Sequence, residues 1–359
     1  MRVRRRVTLW SLALSAALAF TITVSAGIGP VRIPPTTVVR VVANAVVIPA
    51  GVEFGTAGIG PFALPRLGVA YRSPFAFPVD DVHRRIVVLV RLPRILLAAL
   101  VGFALAAAGT VMQGFFRNPM ADPSIIGVSS GAAAGAVDVG LSHGAGVSLF
   151  AFVGALVAAF GVYAIATRQG QTPVATLLLA GVAVQTFLGA VISYLQLQAG
   201  ESLRRIVAWL MGHLSGASWN EVLIVGLVVP PLFLVLLAYT RDLNVMLLGE
   251  AEARGLGVDV ERTKRVLLAV SALVTAAGVA FAGVVGFVGL VVPHVLRLVV
   301  GPDHRVLLPT AALAGGTFLV AADTIARAGA TELPVGVVTA AVGAPFFVYL
   351  LSRREVYEL

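Results

Sequence analysis

The chain has 359 residues, 58% of them hydrophobic and only 12% charged, with a mean hydropathy of +0.97. Soluble domains carry about 25% charged residues, so this composition excludes a water-soluble globular protein and indicates a single integral membrane domain over residues 1–359. The net charge of +9 is no nucleic-acid footprint, because the arginines are scattered between apolar runs, and the absence of cysteine excludes disulfides, thiol catalysis and thiolate metal sites.

In chain order, the basic start Arg2–Arg6 precedes an apolar run from Val7 to about Ile28. Ser25-Ala26-Gly27 offers small residues for cleavage. The run is, however, about twice the 7–15 residues of a signal-peptide core. An uncleaved first span with its basic end in the cytoplasm is expected. Gly29–Arg85 is the least apolar long stretch, and its prolines, Pro30, Pro34, Pro35, Pro49, Pro61, Pro65, Pro74 and Pro78, forbid a continuous helix. Val38–Val47 suits a short surface helix; the rest of 29–85 reads as an extracellular, disordered or lid-like insertion. Further spans are expected near 87–113, 124–141, 147–167, 173–198, 221–240, 266–283, 284–300, 306–328 and 333–352. The fold class is therefore an all-α polytopic membrane protein with about ten transmembrane helices. An even count puts both termini on one side, and Arg353 and Arg354 agree with the N-terminal arginines that this side is cytoplasmic.

Polar groups at membrane depth need partners. The candidates are Gln113, Asp138, Gln185, Gln196 and Asp323, and Asp323 lies four residues before Arg327, the spacing of an internal helical ion pair. No chain of ionisable groups crosses the thickness, which counts against an ion-coupled secondary carrier, and no filter or acidic ring suggests a channel. His213, His294 and His304 are too dispersed to read as a metal site, and His83 and His143 are loop residues. No nucleophile–base–acid arrangement stands out. Gly131-Ala-Ala-Ala-Gly135 is a small-xxx-small pattern that suits ordinary bundle packing. Lys264 is the single lysine and sits between Thr263 and Arg265, so the chain has no Walker loop, whose lysine reaches the terminal phosphates. If transport is driven by ATP, another polypeptide hydrolyses it.

Gly249–Arg265, GEAEARGLGVDVERTKR, is the longest charge-rich island in the second half of the chain. Glu250–Arg254 reads as a short helix, Gly255 and Gly257 break it, and Asp259 can cap the helix that follows. Two short polar helices between membrane spans have little to bury among themselves. They form either a solvated loop or a contact surface for a partner.

GEAEARGLGV resembles the coupling-helix motif of permease subunits from the ATP-binding-cassette importers of vitamin B12, haem and ferric siderophores. Further blocks carry the likeness: RLPR at Arg91–Arg94, GTVMQGFFRNPMADPSIIGVSSGAA at Gly109–Ala133, GFVGLVVPHVLRL at Gly286–Leu298, DHRVLLP at Asp303–Pro309 and ELPVGVVTAAVGAPFF at Glu332–Phe347. The resemblance implies a type II importer permease in the cell membrane, a transport subunit and not an enzyme, with no cofactor. It implies a homodimer, two separate ATPase subunits, an extracellular or periplasmic substrate-binding protein, surrounding lipid, and no nucleic acid. The implied cargo is a metal chelate, vitamin B12 (cobalamin) first, with a ferric siderophore or haem as the alternative. By the same likeness, Glu250, Ala251, Arg254 and Gly255 belong to cytoplasmic coupling helices at 249–265, with Gly255 letting the chain turn after the first helix. Asn118 and Met120 belong to a cytoplasmic gate; the rival reading is a tight turn in which Asn118 and Asp122 satisfy local backbone groups. Arg91, Arg94 and Arg327 would dock the binding protein; the rivals are lipid anchoring and, for Arg327, pairing with Asp323.

Overall fold

The apolar runs fold as helices, because a helix satisfies its own backbone polar groups where no water can. A computed structural model describes residues 2–46, 48–59, 62–142, 146–329 and 331–352. Its helices are α1 (Arg2–Gly27), α2 (Pro35–Ala45), α3 (Asp81–Arg85), α4 (Leu92–Phe115), α5 (Val128–Ser142), α6 (Val147–Ala166), α7 (Val174–Gln198), α8 (Leu203–Leu210), α9 (Trp219–Ala238), α10 (Thr240–Met246), α11 (Glu250–Gly255), α12 (Val260–Ala282), α13 (Val288–Val300), α14 (His304–Ala326) and α15 (Val335–Ser352). Seven helical stretches among the described residues are long and apolar enough to cross a membrane. The shorter α5, α13 and α15 occupy the other expected segments. His143, Pro61, Arg353 and Arg354 lie outside the described residues.

Helix α4 is the axis of the bundle. It is buried along nearly its whole length and is flanked by α9, α12, α13 and α14. Lipid offers no hydrophobic drive between helices, so close backbone approach does the joining. A Cβ on Gly102 would stand 2.2 Å from the Gly315 carbonyl oxygen of α14, and one on Gly109 would stand 2.0 Å from the Gly289 oxygen of α13. The Gly131–Gly135 pattern is used in the same way inside the chain. A Cβ on Gly131 would meet the Gly154 oxygen at 2.3 Å and one on Gly135 the Phe150 oxygen at 2.2 Å, joining α5 to α6.

The helix leading into α4 starts earlier than its hydropathy suggests, at Asp81, capped by the Asp80 carboxylate, which accepts from the Val82 N–H. Residues Ile86–Arg91 form a π-helical turn closed by the Leu92 N–H on the Val87 carbonyl. Pro93 has no N–H and its ring crowds the carbonyl one turn back, and the wider turn relieves that clash.

Within the insertion the chain forms a helix and a strand pair. Helix α2 buries Val38 and Val41, and the segment after it pairs as an antiparallel hairpin, β1 (Ile48–Ile59) with β2 (Phe62–Arg72). In the register Val52 stands opposite Val69 and Phe54 opposite Leu67. The prolines that forbid a helix are tolerated here because both strands of a hairpin are edges. Pro65 faces Thr56 in the ladder, and the register slips between Pro49 and Gly51.

Long-range contacts define two ends of the bundle. At the basic end, Arg6 donates to the Val300 carbonyl at 2.6 Å and Asn244 donates to Asp303 at 2.7 Å. Asp303 also caps α14 through the Arg305 N–H, and the Arg305 guanidinium beside it holds its carboxyl down at about 2. At the hairpin end, Ser25 of α1 meets Thr324 of α14 at 2.6 Å, and Arg91 donates to the Ala26 carbonyl at 2.6 Å and to that of Val31.

Candidate functional site

The residues singled out in the sequence fall at both ends. At the basic end, α11 is set off by Gly249 at φ 133° and by Gly257 at φ 86°. Both lie where an L side chain is strained. This corrects the reading of Gly255: it is the last residue of α11, at an ordinary helical angle, and Gly257 makes the turn. Gly255 instead faces open space. Ala253 is the helix's buried anchor, packed with Met246 and Val260. Ala251, Arg254 and Gly255 are exposed, and Leu248 and Leu256 beside them are each 65% exposed. Asp259 caps α12 as its position suggested, accepting from the Arg262 N–H at 3.1 Å.

Behind α11 sits a charge cluster that sequence reasoning missed. Lys264 is buried at 2% exposure and lies 2.7 Å from Glu250 and 3.4 Å from Glu261, and its ammonium donates to the Thr172 carbonyl at 3.1 Å. The signal available was a lone lysine three residues after Glu261; Thr172, 92 residues away, had none.

The 118–123 segment is built as a tight turn. The Asn118 side chain accepts from the Met120 N–H at 2.9 Å, and Asp122 accepts from the Ser124 N–H at 2.8 Å, capping a short 3-10 turn, Pro123–Ile126. Asn118 and Met120 are both exposed. Local satisfaction of the backbone is thus realised, and it leaves the Met120 side chain projecting.

At the hairpin end the three arginines are engaged inside the chain. Arg91 is 5% exposed and donates to the Ala26 carbonyl in the last turn of α1 and to the Val31 carbonyl just beyond it. Arg94 donates to the fully buried Asp323 carboxylate at 2.9 Å from Nε and 2.8 Å from Nη2, and its other nitrogen pairs with Glu332. Arg327 reaches the same carboxylate from Nε at 3.1 Å and also donates to the carbonyls of Ile28 and Ser25. The Asp323–Arg327 pair expected from spacing is present; its sharing with Arg94, across 229 residues, was not legible.

The profile of the FecCD transport family matches residues 17–353. The chain belongs to that family. It is 55% identical over 363 aligned positions to the "Cobalamin import system permease protein BtuC" of Halobacterium salinarum, covering 99% of this chain and 98% of that one. The FecCD match therefore includes the hairpin insertion. The "Hemin transport system permease protein HmuU" of Yersinia pestis is 40% identical, covering 83% of this chain and 92% of the relative. A solved structure described as an inward-facing conformation of a metal-chelate type ABC transporter superposes with a TM-score of 0.76 at 30% identity, covering 96% of this chain and 98% of that one.

Proposed function

We propose that this chain is the membrane-spanning permease subunit of an ATP-driven importer of cobalamin. The observation that carries the reading is the 55% identity, over nearly the full length of both chains, to a permease named for cobalamin import. Haem import is the second reading, supported by the 40% identity to the hemin permease. In the functional assembly two copies enclose the pathway. Two ATPase subunits bind at the basic end, which is cytoplasmic by its excess of arginine at Arg2–Arg6, Arg117, Arg168, Arg241 and Arg297. A substrate-binding protein docks at the hairpin end. Arg94, through Glu332 on the exposed rim, lies nearest that surface, while Arg91 and Arg327 hold the ends of α1, α4 and α14 beneath it.

The α11 surface, with Ala251, Arg254, Gly255, Leu248 and Leu256 outward and Glu250 paired behind, is the contact for the ATPase. Because Gly255 faces open space, valine there adds bulk only where a partner would seat. In proteoliposomes holding the assembled complex, Gly255→Val is expected to reduce ATP-driven uptake of labelled cyanocobalamin about tenfold, as loss of roughly 1.4 kcal/mol of contact would. The permease itself should be expressed and melt as the parent does. Uptake of haem but not cyanocobalamin by the parent would favour the second reading. Parental uptake by the variant would move the contact off α11.

The same vesicles test the gate. Asn118→Ala with Met120→Ala removes the projecting side chain and the bond that fixes its backbone, at a cost of about 1 kcal/mol. Passive cyanocobalamin leak through the nucleotide-free complex should rise several-fold with folding intact. Vesicles as tight as the parent would place the closure elsewhere, around Gln171–Val174.

A further inference from the structure

A buried ammonium needs partners for its charge and its donors. Those of Lys264 come from three separate pieces of chain: Glu250 on α11, Glu261 on its own helix α12, and the Thr172 carbonyl in the connection between α6 and α7. Glu261 completes the link, accepting from the Thr172 N–H at 3.2 Å, so both main-chain groups of Thr172 are held by the cluster. Arg254 reaches the same carboxylates only at 3.5 and 3.7 Å and is half exposed, the geometry of a weak surface pair.

The connection that Lys264 grips is stiff. Arg168 and Gln171 exchange N–H···O bonds of 2.9 and 3.0 Å, and the two residues between them, Gln169 and Gly170, have φ of 53° and 77°. This is the tight two-residue turn with both central residues left-handed. Pro173 follows directly as the cap of α7, leaving no slack between Thr172 and the helix. Along α7 the few buried residues are Leu177, Ala180 and Gly181, and there the helix closes on one group. A Cβ on Gly181 would stand 2.1 Å from the Ile125 carbonyl oxygen, and the Gln185 side chain donates to that oxygen at 2.8 Å. Ile125 belongs to the 3-10 turn that continues the Asn118–Asp122 loop.

We propose that Lys264 is the positioning residue that transmits a displacement of α11 through Thr172 and the rigid α7 helix to Ile125 and the gate loop. Thr172 and Gln185 are 13 residues apart on the sequence, roughly 20 Å along a helix at 1.5 Å per residue. A helix is stiff enough to carry a shift over that length, and the contacts at each end are polar and specific. The proposal rests on the functional reading above for what moves α11 and what the gate admits.

The test uses the full complex in proteoliposomes, with Lys264→Met, which keeps the stem and removes the ammonium, and Lys264→Arg, which keeps the charge. Capture of the ATPase and its basal hydrolysis should stay within about twofold for Lys264→Met, while cyanocobalamin moved per ATP hydrolysed falls at least about tenfold. Lys264→Arg should restore about half the parental ratio or more, since a guanidinium can still reach two of the three partners. Amide hydrogen exchange supplies a readout that a merely structural role would not give. In the parent, trapping nucleotide should change exchange at both 250–255 and 172–185. In Lys264→Met the change should persist at 250–255 and vanish at 172–185.

A parental transport ratio and a parental exchange response at 172–185 in Lys264→Met would overturn the proposal, as would a rise in exchange throughout the chain with loss of ATPase capture, which marks a structural staple. Should Lys264→Met fail to assemble, Glu250→Ala decides, because it cuts the link between α11 and Lys264 while leaving Lys264 with Glu261 and the Thr172 carbonyl; an unchanged ratio and an unchanged exchange response at 172–185 there overturn the proposal. A parent complex that hydrolyses ATP yet takes up no cyanocobalamin would defeat the functional reading alone, since the exchange readout requires only the ATPase and nucleotide.

Discussion

Gly109→Leu is expected to abolish accumulation of the folded chain. The Gly109 position faces the backbone of α13, not a side chain that could swing aside: its added Cβ would lie 2.0 Å from the Gly289 oxygen and 2.6 Å from the Gly289 Cα. Ordinary contact needs about 3.5–4.0 Å, so α4 and α13 would have to separate by more than 1 Å for alanine and by far more for leucine. Overpacking of a core by single methylenes costs about 1–3 kcal/mol. A whole side chain against backbone exceeds that, and native stabilities are only about 5–15 kcal/mol. The displaced Gly289 also packs against Pro123, at 2.9 Å from its own hypothetical Cβ, so the gate turn would move too. Detergent-solubilised material analysed by fluorescence size exclusion should show the parental peak for the wild type, a reduced one for Gly109→Ala and none for Gly109→Leu. A parental peak for the leucine variant would mean that α4 and α13 do not cross at this point.

Asp323→Ala is the second variant expected to have a large effect. The carboxylate is fully buried and is shared by two guanidinium groups, Arg94 from α4 and Arg327 from the end of its own helix. Removing one member of a buried ionic group leaves uncompensated charge and costs about 3–5 kcal/mol. Each arginine retains other acceptors, Glu332 for Arg94 and the carbonyls of Ser25 and Ile28 for Arg327, which places the loss near the lower figure. At about 1.3 °C per kcal/mol for a chain of 359 residues, the melting temperature of the purified permease should fall by about 4 °C. Asp323→Asn keeps an acceptor oxygen and should fall between the two. An unchanged melting temperature for Asp323→Ala would show that the arginines are satisfied without it. The same geometry governs any charge reversal at Arg94 or Arg327. A glutamate there would face the Asp323 carboxylate, so a weakened response to a binding protein has to be separated from loss of the folded end by melting the variant first.

The sequence by itself determined where the chain is helical and to which family it belongs. Helix formation in lipid is a local demand, since each span must bond its own backbone, and a run of apolar residues such as Val174–Gln198 declares it without reference to any other part of the chain. Caps are local as well, which is why Asp259 could be placed before α12. Hydropathy was a poorer guide to α8 and α10, short helices outside the apolar runs. It also missed the hairpin at 48–72, where prolines excluded a helix but said nothing of pairing. The candidate site divides along the same line. The sequence located the acidic helix and the arginines, and it divided the turn between Gly255 and Gly257, of which only Gly257 has the left-handed angle. Only the tertiary structure decided what those charges touch. Arg94 meets Asp323, Lys264 meets Thr172, and Gln185 meets Ile125 across separations of 229, 92 and 60 residues. Such partners follow from how the helices cross and rotate against one another, set at Gly102, Gly109 and Gly181 by backbone touching backbone. The periodicity of a single helix holds no record of which neighbour its polar face will meet.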